Sequence, residues 1–217
     1  MAYRVVCISR MAAAGGEPIG RLVADRLGFR YVDDEVIAVA AERAGLEPAV
    51  LEAEEHHKGL LARLMDALIA PPTESTGYLG SGRGGYYGDD KVPPTVSPAG
   101  GLRRFIQSAI VEIAHQGRVV IVAHAASLAL AREADALRVL VVASRETRIN
   151  RLWVPNKLVS EEEYAKAIAE SDRERQQYLA RFYDIDHESP TLYDLVINTD
   201  RLTVDEAVAA VTTVART

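Results

Sequence analysis

Residues 3–20 read YRVVCISRMAAAGGEPIG, and this stretch decides the fold. The apolar run from Tyr3 to Ser9 predicts a buried strand, and the pair Gly15-Gly16 predicts a tight turn after it. Pro18 suits the first turn of a helix, where its missing N–H costs nothing. The helical stripe that follows ends at Gly28. A strand, a glycine turn and a helix in this order are typical of phosphate sites in α/β sheets, because a helix N-terminus attracts anions.

This turn lacks two parts of the P-loop pattern GxxxxGK[ST]. No lysine precedes Lys58, and no serine or threonine follows Gly16, so the usual phosphate-binding charge and the usual Mg²⁺ ligand are both missing. Glu17 would repel a phosphate at close range, whereas Arg10 could supply a positive charge from the other side of the turn. Spacing alone leaves two interpretations open: a degenerate phosphate loop, or a tight strand–helix turn that needs glycine.

Strands and helices alternate along the rest of the chain. Further apolar runs predict strands at residues 29–32, 119–123, 137–143 and 195–198. Helical patterns occupy residues 35–45, 48–69, 102–116, 145–153, 160–183 and the stretch from 203 onward. Strands that are buried on both faces and separated by helices predict a three-layer α/β/α sandwich. We expect a parallel sheet of about five strands in one domain over residues 1–217.

Two segments depart from this regular pattern. Residues 70–101 hold eight of the 15 glycines and five of the nine prolines. Such a composition predicts a flexible insert, because it offers too little apolar surface to stay packed. Around residues 155–190, a long helical stretch predicts a lid-like segment, opened by the capping-box sequence Ser160-Glu-Glu-Glu163.

The composition excludes several classes of function. The formal net charge is −6, which gives no support to broad binding of nucleic acid or of anionic membranes. A single cysteine, Cys7, excludes an intramolecular disulfide and a multi-cysteine metal site, and no metal site is predicted elsewhere. The chain shows no secretory leader and no apolar run of ~20 residues. We therefore expect a cytoplasmic protein without a membrane partner.

Arginines in the carboxy-terminal half are the remaining candidates for chemistry. Arg148 and Arg151 are three residues apart, hence on one helical face. Further on, Asp172 and Glu174 alternate with Arg173 and Arg175. Phosphoryl transfer depends on positioning and on stabilising charge at the transferring oxygens, and arginines on a mobile segment suit that task. The alternative is a solvated helix face with ion pairs between successive turns.

Several motifs follow one another in a recognisable order. They are Ile8-Ser9-Arg10, Gly15-Gly16, Ile19-Gly20, the run from Phe29 to Asp33, Ala143-Ser144 followed by Arg148, Asp172-Arg173, and the run from Tyr193 to Ala207. In this order they resemble the cytidylate-kinase-like family, a divergent branch of the nucleoside monophosphate kinases. The resemblance covers the segments around the first turn, the strand at 118–123, and nearly all of residues 137–211. Residues 46–101 do not contribute to it.

The resemblance implies a P-loop-kinase-like fold that uses ATP and Mg²⁺ and binds a nucleotide or another small phosphorylated ligand. In that picture the loop from Arg10 to Gly20 holds the ATP phosphates. Its expected binding residues are Arg10, Gly15, Gly16 and Glu17. The expected catalytic residues are Arg148, Arg173 on the lid, and Asp33 at the floor of the monophosphate site. The expected substrate-binding residues are Asp34, His124, Asp172 and Arg175.

Two departures from the family pattern leave two functions open. Ala13-Ala14 replaces Gly-Ser in the turn, and His124 stands where the family has a phosphate-binding arginine. Alanine resists backbone conformations with positive φ, and neutral histidine is a weaker phosphate ligand. The first function is an ATP-dependent phosphotransferase that transfers the γ-phosphoryl group to a nucleoside monophosphate or a similar small acceptor. The second is a catalytically impaired nucleotide-binding or interaction protein that keeps the kinase fold.

Overall fold

The computed structural model describes residues 2–33, 98–123, 125–152 and 160–217. The strands are β1 (Val5–Arg10), β2 (Arg30–Val32), β3 (Val119–Val122), β4 (Ala136–Val142) and β5 (Leu195–Asn198). The helices of the described ranges are α1 (Gly16–Leu27), α2 (Pro98–His115), α3 (Ala126–Ala129), α4 (Arg145–Leu152), α5 (Glu161–Tyr183) and α6 (Val204–Ala215), with a 3₁₀ turn at Pro190–Leu192. The helices predicted at 35–45 and 48–69, residues 70–97 of the insert, and residues 155–159 of the lid-like segment lie outside the described residues.

The five strands form one parallel sheet in the order β2-β3-β1-β4-β5. In the central strand, Val5 pairs with Val119 of β3 on one side and with Ala136 of β4 on the other. From β1 the chain passes to one side of the sheet to form β2 and β3, and then to the other side to form β4 and β5, so the connections change direction at β1. In open parallel sheets, ligands bind at the carboxyl ends of the strands at such a reversal. The predicted α/β class and its parallel five-stranded sheet are confirmed.

Alternating residues of β1 pack against two different helical layers. Val6 and Ile8 are fully buried in the cluster that includes residues of α1 and α6. Val5 and Cys7 are buried on the opposite face, in the cluster that includes residues of α2, α3 and α5. Burial raises the pKa of the Cys7 thiol, which keeps it neutral as a core residue. Because each fully buried valine or isoleucine contributes about 1.5–3 kcal/mol, the two layers fix the position of the loop that follows β1.

Local sequence signals account for several helix ends. α1 ends at Gly28, which adopts a left-handed conformation. Ser160 and Thr203 both form complete capping boxes with the glutamate three residues later, at the starts of α5 and α6. α5 extends to Tyr183, as the helical pattern predicts.

The structure corrects two boundaries and adds one helix. α2 begins at Pro98 rather than at residue 102, so residues 98–101 are helical and not part of the predicted insert. Proline is compatible with the first helical turn, so this proline begins the helix rather than preventing it. α3 was not predicted, because its four residues are too few to show a period. None of the helices in the described ranges has the length and apolar character needed to cross a membrane.

Candidate functional site

The turn that joins β1 to α1 (residues 11–15, here the β1–α1 turn) has the backbone of an anion-binding loop. Ala13 and Gly15 both have positive φ, at 59° and 88°. Gly15 is the N-cap of α1, and no side chain caps this helix end. The first N–H groups of the helix therefore have no side-chain acceptor, a condition that helix N-termini share where they bind phosphate. The left-handed conformation costs alanine at position 13 about 1 kcal/mol, whereas Gly15 adopts it freely.

Arg10 covers the start of α1. A Cβ atom built on Gly16 would lie 2.7 Å from the Arg10 Cβ and 2.8 Å from its Cδ, so the arginine stem occupies the space above Gly16. The Arg10 guanidinium forms an ion pair with Glu17, whose side chain is 52% exposed. The Arg10 Nε is buried and has no hydrogen-bond partner within the described part of the chain.

Compared with the P-loop pattern, the glycine and the cationic residue have exchanged positions. When Gly15 is matched to the second glycine of GxxxxGK[ST], Arg10 takes the place of the first glycine and Gly16 takes the place of the lysine. Glu17 then stands where the Mg²⁺-binding hydroxyl would be. A positive charge therefore lies over the helix N-terminus, but it comes from the strand and not from the helix.

Arg151 and Thr199 contact the opposite side of the same turn. The Arg151 Nη1 donates to the Ala13 carbonyl at 3.3 Å and to the Thr199 Oγ1 at 2.9 Å. Its Nη2 donates to the Thr199 carbonyl at 2.8 Å. The Thr199 hydroxyl, which is buried, donates to the Ala14 carbonyl at 2.8 Å. These contacts join the β1–α1 turn to α4 and to the end of β5.

Arg148 and Arg151 do not share a partner, although they lie on one helical face. Arg148 is only 3% exposed, and its Nη1 and Nη2 donate to the two carboxylate oxygens of Asp172, both at 2.7 Å. The Arg148 Nε is buried, and no described residue accepts a hydrogen bond from it. This bidentate pair connects α4 to α5.

Arg173 lies on the solvent side of α5. Its side chain is 63% exposed and forms an ion pair with Glu170, one turn earlier in the same helix. The neighbouring Asp172 and Arg175 instead face the protein. Arg173 therefore stands apart from the contacts made by Arg10 and Arg148, and its predicted role on the lid stays a prediction.

An open cleft of about 270 Å³ begins where the β1–α1 turn begins. Its lining residues are Met11, Asp172, Arg175, Gln176, Leu179, Ile185, Asp186, His187 and Glu188. The cleft therefore combines a residue of the turn, one face of α5 and the loop that follows α5. It brings together Asp172 and Arg175, the two α5 residues that the sequence predicts to bind substrate.

A buried polar network begins at two lining residues of the cleft, Arg175 and Glu188. The Arg175 Nε donates to Glu188 at 2.9 Å, and the Tyr193 hydroxyl donates to the same carboxylate. Ser9, near the end of β1, lies close to the Tyr193 side chain and 3.0 Å, oxygen to oxygen, from the Ser127 hydroxyl. Burial raises the pKa of Tyr193, and the Glu188 carboxylate adds to this effect, so the phenol stays protonated.

Asp33 follows β2 at the carboxyl edge of the sheet. Its carboxylate accepts a hydrogen bond from the Tyr31 hydroxyl at 3.0 Å. Burial raises the pKa of Tyr31, and the negative charge of Asp33 raises it further. The predicted substrate residues Asp34 and His124 lie outside the described residues, so their placement stays a prediction.

The structure brings four of the predicted residues together at one helix end: Arg10, Gly15, Gly16 and Glu17. Sequence reasoning missed Thr199, and it noted Arg151 only for its spacing. One signal could have found Thr199, since Thr199-Asp200 follows directly after the strand predicted at 195–198. Residues at that position gather at the same edge of a parallel sheet as the turn after β1.

Comparison with known proteins agrees with the fold and identifies the family. Residues 5–201 match the model of the cytidylate kinase-like family. No curated protein matches the sequence. An uncharacterised protein from Eubacterium ventriosum has a similar structure, with a TM-score of 0.60, 14% identity and 96% coverage of both chains.

Two further solved structures share this architecture over almost their whole length. They are a shikimate kinase from Bacteroides thetaiotaomicron, with a TM-score of 0.53, and TT1252 from Thermus thermophilus, with a TM-score of 0.51. Each is 14% identical to this chain, with 98% of both chains covered, so the likeness concerns the fold alone. The fold is that of the P-loop kinases, and the family match extends over most of the sequence. The chain belongs to the cytidylate kinase-like family.

Proposed function

We propose that this protein is an ATP-dependent phosphotransferase that transfers the γ-phosphoryl group to a nucleoside monophosphate or a similar small acceptor. The observation that carries the proposal is the position of Arg10 over Gly16, at a helix N-terminus that no side chain caps. A cationic group beside an uncapped helix N-terminus forms a site for a polyphosphate. Membership of a kinase-like family supports the same conclusion.

The residues that flank the β1–α1 turn fit the phosphates of ATP. The absence of a side chain at Gly16 leaves room for the Arg10 stem, which a Cβ there would displace. The buried Nε of Arg10 has no acceptor among the described residues, so it is a donor that a phosphate oxygen could satisfy. Arg10 would exchange the carboxylate of Glu17 for phosphate oxygens, to which arginine binds in a planar, two-point geometry.

Mg²⁺ fits this site only together with the phosphates. Within the described ranges, no group of three His, Cys, Asp or Glu side chains could hold a metal ion. Mg²⁺ usually keeps several waters and takes one or two carboxylates plus substrate phosphates. Glu17, once released from Arg10, and Asp33 are the carboxylates that would hold it. When bound, Mg²⁺ neutralises charge that develops on the transferring oxygens.

The cleft beside Met11 is the place we propose for the acceptor. Asp172 is one-third exposed there, and it can accept a hydrogen bond from an acceptor hydroxyl while Arg148 fixes its orientation. Arg175 lies deeper, and its position is fixed by Glu188. An acceptor held in this cleft would lie next to the turn that binds the donor phosphates, as direct transfer between two bound substrates requires.

A second candidate is a nucleotide-binding protein without turnover. One observation favours it: two of the four candidate arginines in the carboxy-terminal half, Arg148 and Arg175, are already paired with carboxylates in buried positions. Each would need to leave its partner before it could stabilise transferring charge. Nucleotide binding at the β1–α1 turn requires neither of them.

The experiment that separates the two functions combines binding with turnover. Titration calorimetry with ATP, with and without Mg²⁺ and CMP, measures binding, and a coupled ADP-release assay over all the nucleoside monophosphates measures transfer. We expect Arg10→Gln to weaken ATP binding by about tenfold or more, since it removes a charge-assisted hydrogen bond. The matched control is Arg26→Gln, which removes an equal charge from the last turn of α1.

Each outcome of this experiment selects one function. ATP binding with transfer to any monophosphate supports the phosphotransferase. ATP binding without transfer to any of them selects the nucleotide-binding protein. Equal losses in Arg10→Gln and Arg26→Gln would show that Arg10 acts only through net charge, which contradicts the proposed donor site.

A further inference from the structure

We infer that Thr199, held in place by Arg151, is a positioning residue that keeps the β1–α1 turn in its anion-binding conformation. Its contacts allow alanine at position 13 to keep a backbone conformation that glycine adopts freely. The inference rests on the proposed function, because it concerns how the donor phosphates are bound. Neither residue is assigned to contact the nucleotide. Both act through the backbone of the turn.

The contacts fix the carbonyl groups of two successive residues in the turn. Thr199 donates its hydroxyl proton to the Ala14 carbonyl, and Arg151 donates to the Ala13 carbonyl. Arg151 in turn donates two hydrogen bonds to Thr199, one to the hydroxyl oxygen and one to the carbonyl. Thr199 is 6% exposed, and its own N–H is bonded to Val142 of β4, so it is a rigid anchor.

A fixed carbonyl determines where the next N–H points, because the peptide unit is planar and trans. The carbonyl of Ala14 points to Thr199, so the N–H of Gly15 points away from Thr199, out of the other side of the turn. The carbonyl of Ala13 points to Arg151, and the N–H of Ala14 then closes the turn on the Met11 carbonyl at 3.1 Å. The two anchored carbonyls therefore fix the direction of the Gly15 N–H at the start of α1.

This arrangement explains how alanine is tolerated at position 13. Ala13 has a φ of 59°, a conformation that glycine adopts freely and alanine resists. Without the two anchored carbonyls, we expect the turn to populate other conformations in which the Gly15 N–H takes a different direction. The donors of Arg151 that reach the turn are used on protein oxygens, which argues for positioning rather than for direct phosphate binding.

The test measures the affinity of inorganic tripolyphosphate, and of ATP, by calorimetry. We expect Thr199→Val to weaken both by about tenfold, because it removes the hydroxyl but no charge. Thr199→Ser keeps the hydroxyl and is expected to bind within about twofold of the wild type. Arg151→Gln is expected to weaken both ligands as well, and its control is Arg145→Gln, an exposed arginine of the same helix.

Rescue by glycine distinguishes positioning from direct contact. Since glycine at position 13 removes the backbone strain, Ala13→Gly is expected to restore most of the affinity lost in Thr199→Val and in Arg151→Gln. Thermal unfolding of each variant confirms that it is folded. In the active enzyme, the KM for ATP is expected to rise in Thr199→Val while the KM for the acceptor stays unchanged.

The outcomes separate this inference from the proposed function. If the wild type binds neither tripolyphosphate nor ATP, the proposed function fails, and the inference fails with it. If the wild type binds both and Thr199→Val binds equally well, only the inference is overturned. If Arg151→Gln loses affinity and Ala13→Gly does not restore it, Arg151 contacts the phosphates directly, and the positioning role is wrong.

Discussion

Ala13 is held in a backbone conformation that only glycine adopts without cost. Its φ is 59°, whereas the next residue, Ala14, has an ordinary φ and a fully buried methyl group. We therefore expect Ala13→Gly to raise the free energy of unfolding by about 0.5–1 kcal/mol. Ala14→Gly, the matched control, is expected to lower it by about 1 kcal/mol, because it removes a buried methyl group and loosens the backbone. Urea denaturation measures both, and a loss of stability in Ala13→Gly would contradict the strain.

The Arg10 side chain fits only because position 16 is a glycine. A side chain at Gly16 would collide with the Arg10 stem, at 2.7 Å between the two Cβ atoms. The P-loop pattern has the reverse arrangement, with a glycine at the position of Arg10 and a lysine at the position of Gly16. The two arrangements are thus alternative ways of placing one positive charge over the helix N-terminus.

A double substitution tests this equivalence. We expect Gly16→Lys alone to lower both stability and ATP affinity, the affinity by about tenfold or more, because overpacking displaces Arg10. Arg10→Gly alone loses the charge. The double variant Arg10→Gly with Gly16→Lys is expected to bind ATP better than either single variant, a strong departure from additivity. Calorimetry measures the affinities, and a double variant no better than Gly16→Lys would show that the turn cannot accept the exchanged arrangement.

At the scale of elements, α4 and α5 are joined by one buried ion pair. Arg148 is 3% exposed, so the loss of its partner leaves a buried charge without a carboxylate. We expect Asp172→Asn to lower the free energy of unfolding by about 2–3 kcal/mol. The neighbouring Arg173→Gln removes only an exposed pair with Glu170 and is expected to cost less than about 0.5 kcal/mol.

Denaturant unfolding and nucleotide binding together define the role of each residue. If Arg173→Gln is stable and yet weakens transfer, its predicted role on the lid is supported. An unchanged stability in Asp172→Asn would mean that the pair is not closed in solution, and that Arg148 is available for a ligand.

The sequence predicts elements better than it predicts contacts between them. The strands and the capped helices α5 and α6 follow from signals within a few residues, such as the glutamates three residues after Ser160 and Thr203. The start of α2 was placed four residues too late, because Gly100-Gly101 obscures the helical pattern after Pro98.

The anchoring of the β1–α1 turn by Thr199 joins residues that are 185 positions apart, and no local pattern shows such a contact. The pairing of Arg10 with Glu17 was also missed, because the sequence shows two opposite charges but not the path of the arginine stem over Gly16.

Across the whole molecule, one polar network connects both ends of the chain beneath the site. It runs from Arg175 of α5 through Glu188 and Tyr193 to Ser9 of β1 and Ser127 of α3. Its members come from four separate parts of the sequence. The last residue of this network on β1, Ser9, lies two positions before the β1–α1 turn. We therefore expect the geometry of the proposed donor site to depend on the packing of α5 and not only on the turn itself.

The titration of Glu188 tests how much this network contributes to the stability of the molecule. Burial alone raises the pKa of Glu188, but the hydrogen bond and the charge of Arg175, together with the Tyr193 hydroxyl, outweigh it and hold the pKa below its ordinary value of 4.5. A carboxyl group with a lowered pKa stabilises the folded protein above its unfolded-state pKa, and the stabilisation disappears as the pH falls through the lowered value. We expect Glu188→Gln to cost about 3 kcal/mol at pH 7, since it leaves Arg175 buried without a carboxylate. The difference from the wild type should shrink as the pH falls below 4.5.

Urea unfolding at pH 7 and at successively lower pH measures this difference. Glu162→Gln, at an exposed position in the first turn of α5, is the control and is expected to change stability by less than about 0.5 kcal/mol at every pH. A cost for Glu188→Gln that stays constant with pH would mean that the carboxylate contributes by packing and not by charge. Because Arg175 and Glu188 line the cleft that also includes Met11 of the β1–α1 turn, the same variant should also weaken tripolyphosphate binding at pH 7, and unchanged binding there would separate the network from the proposed donor site.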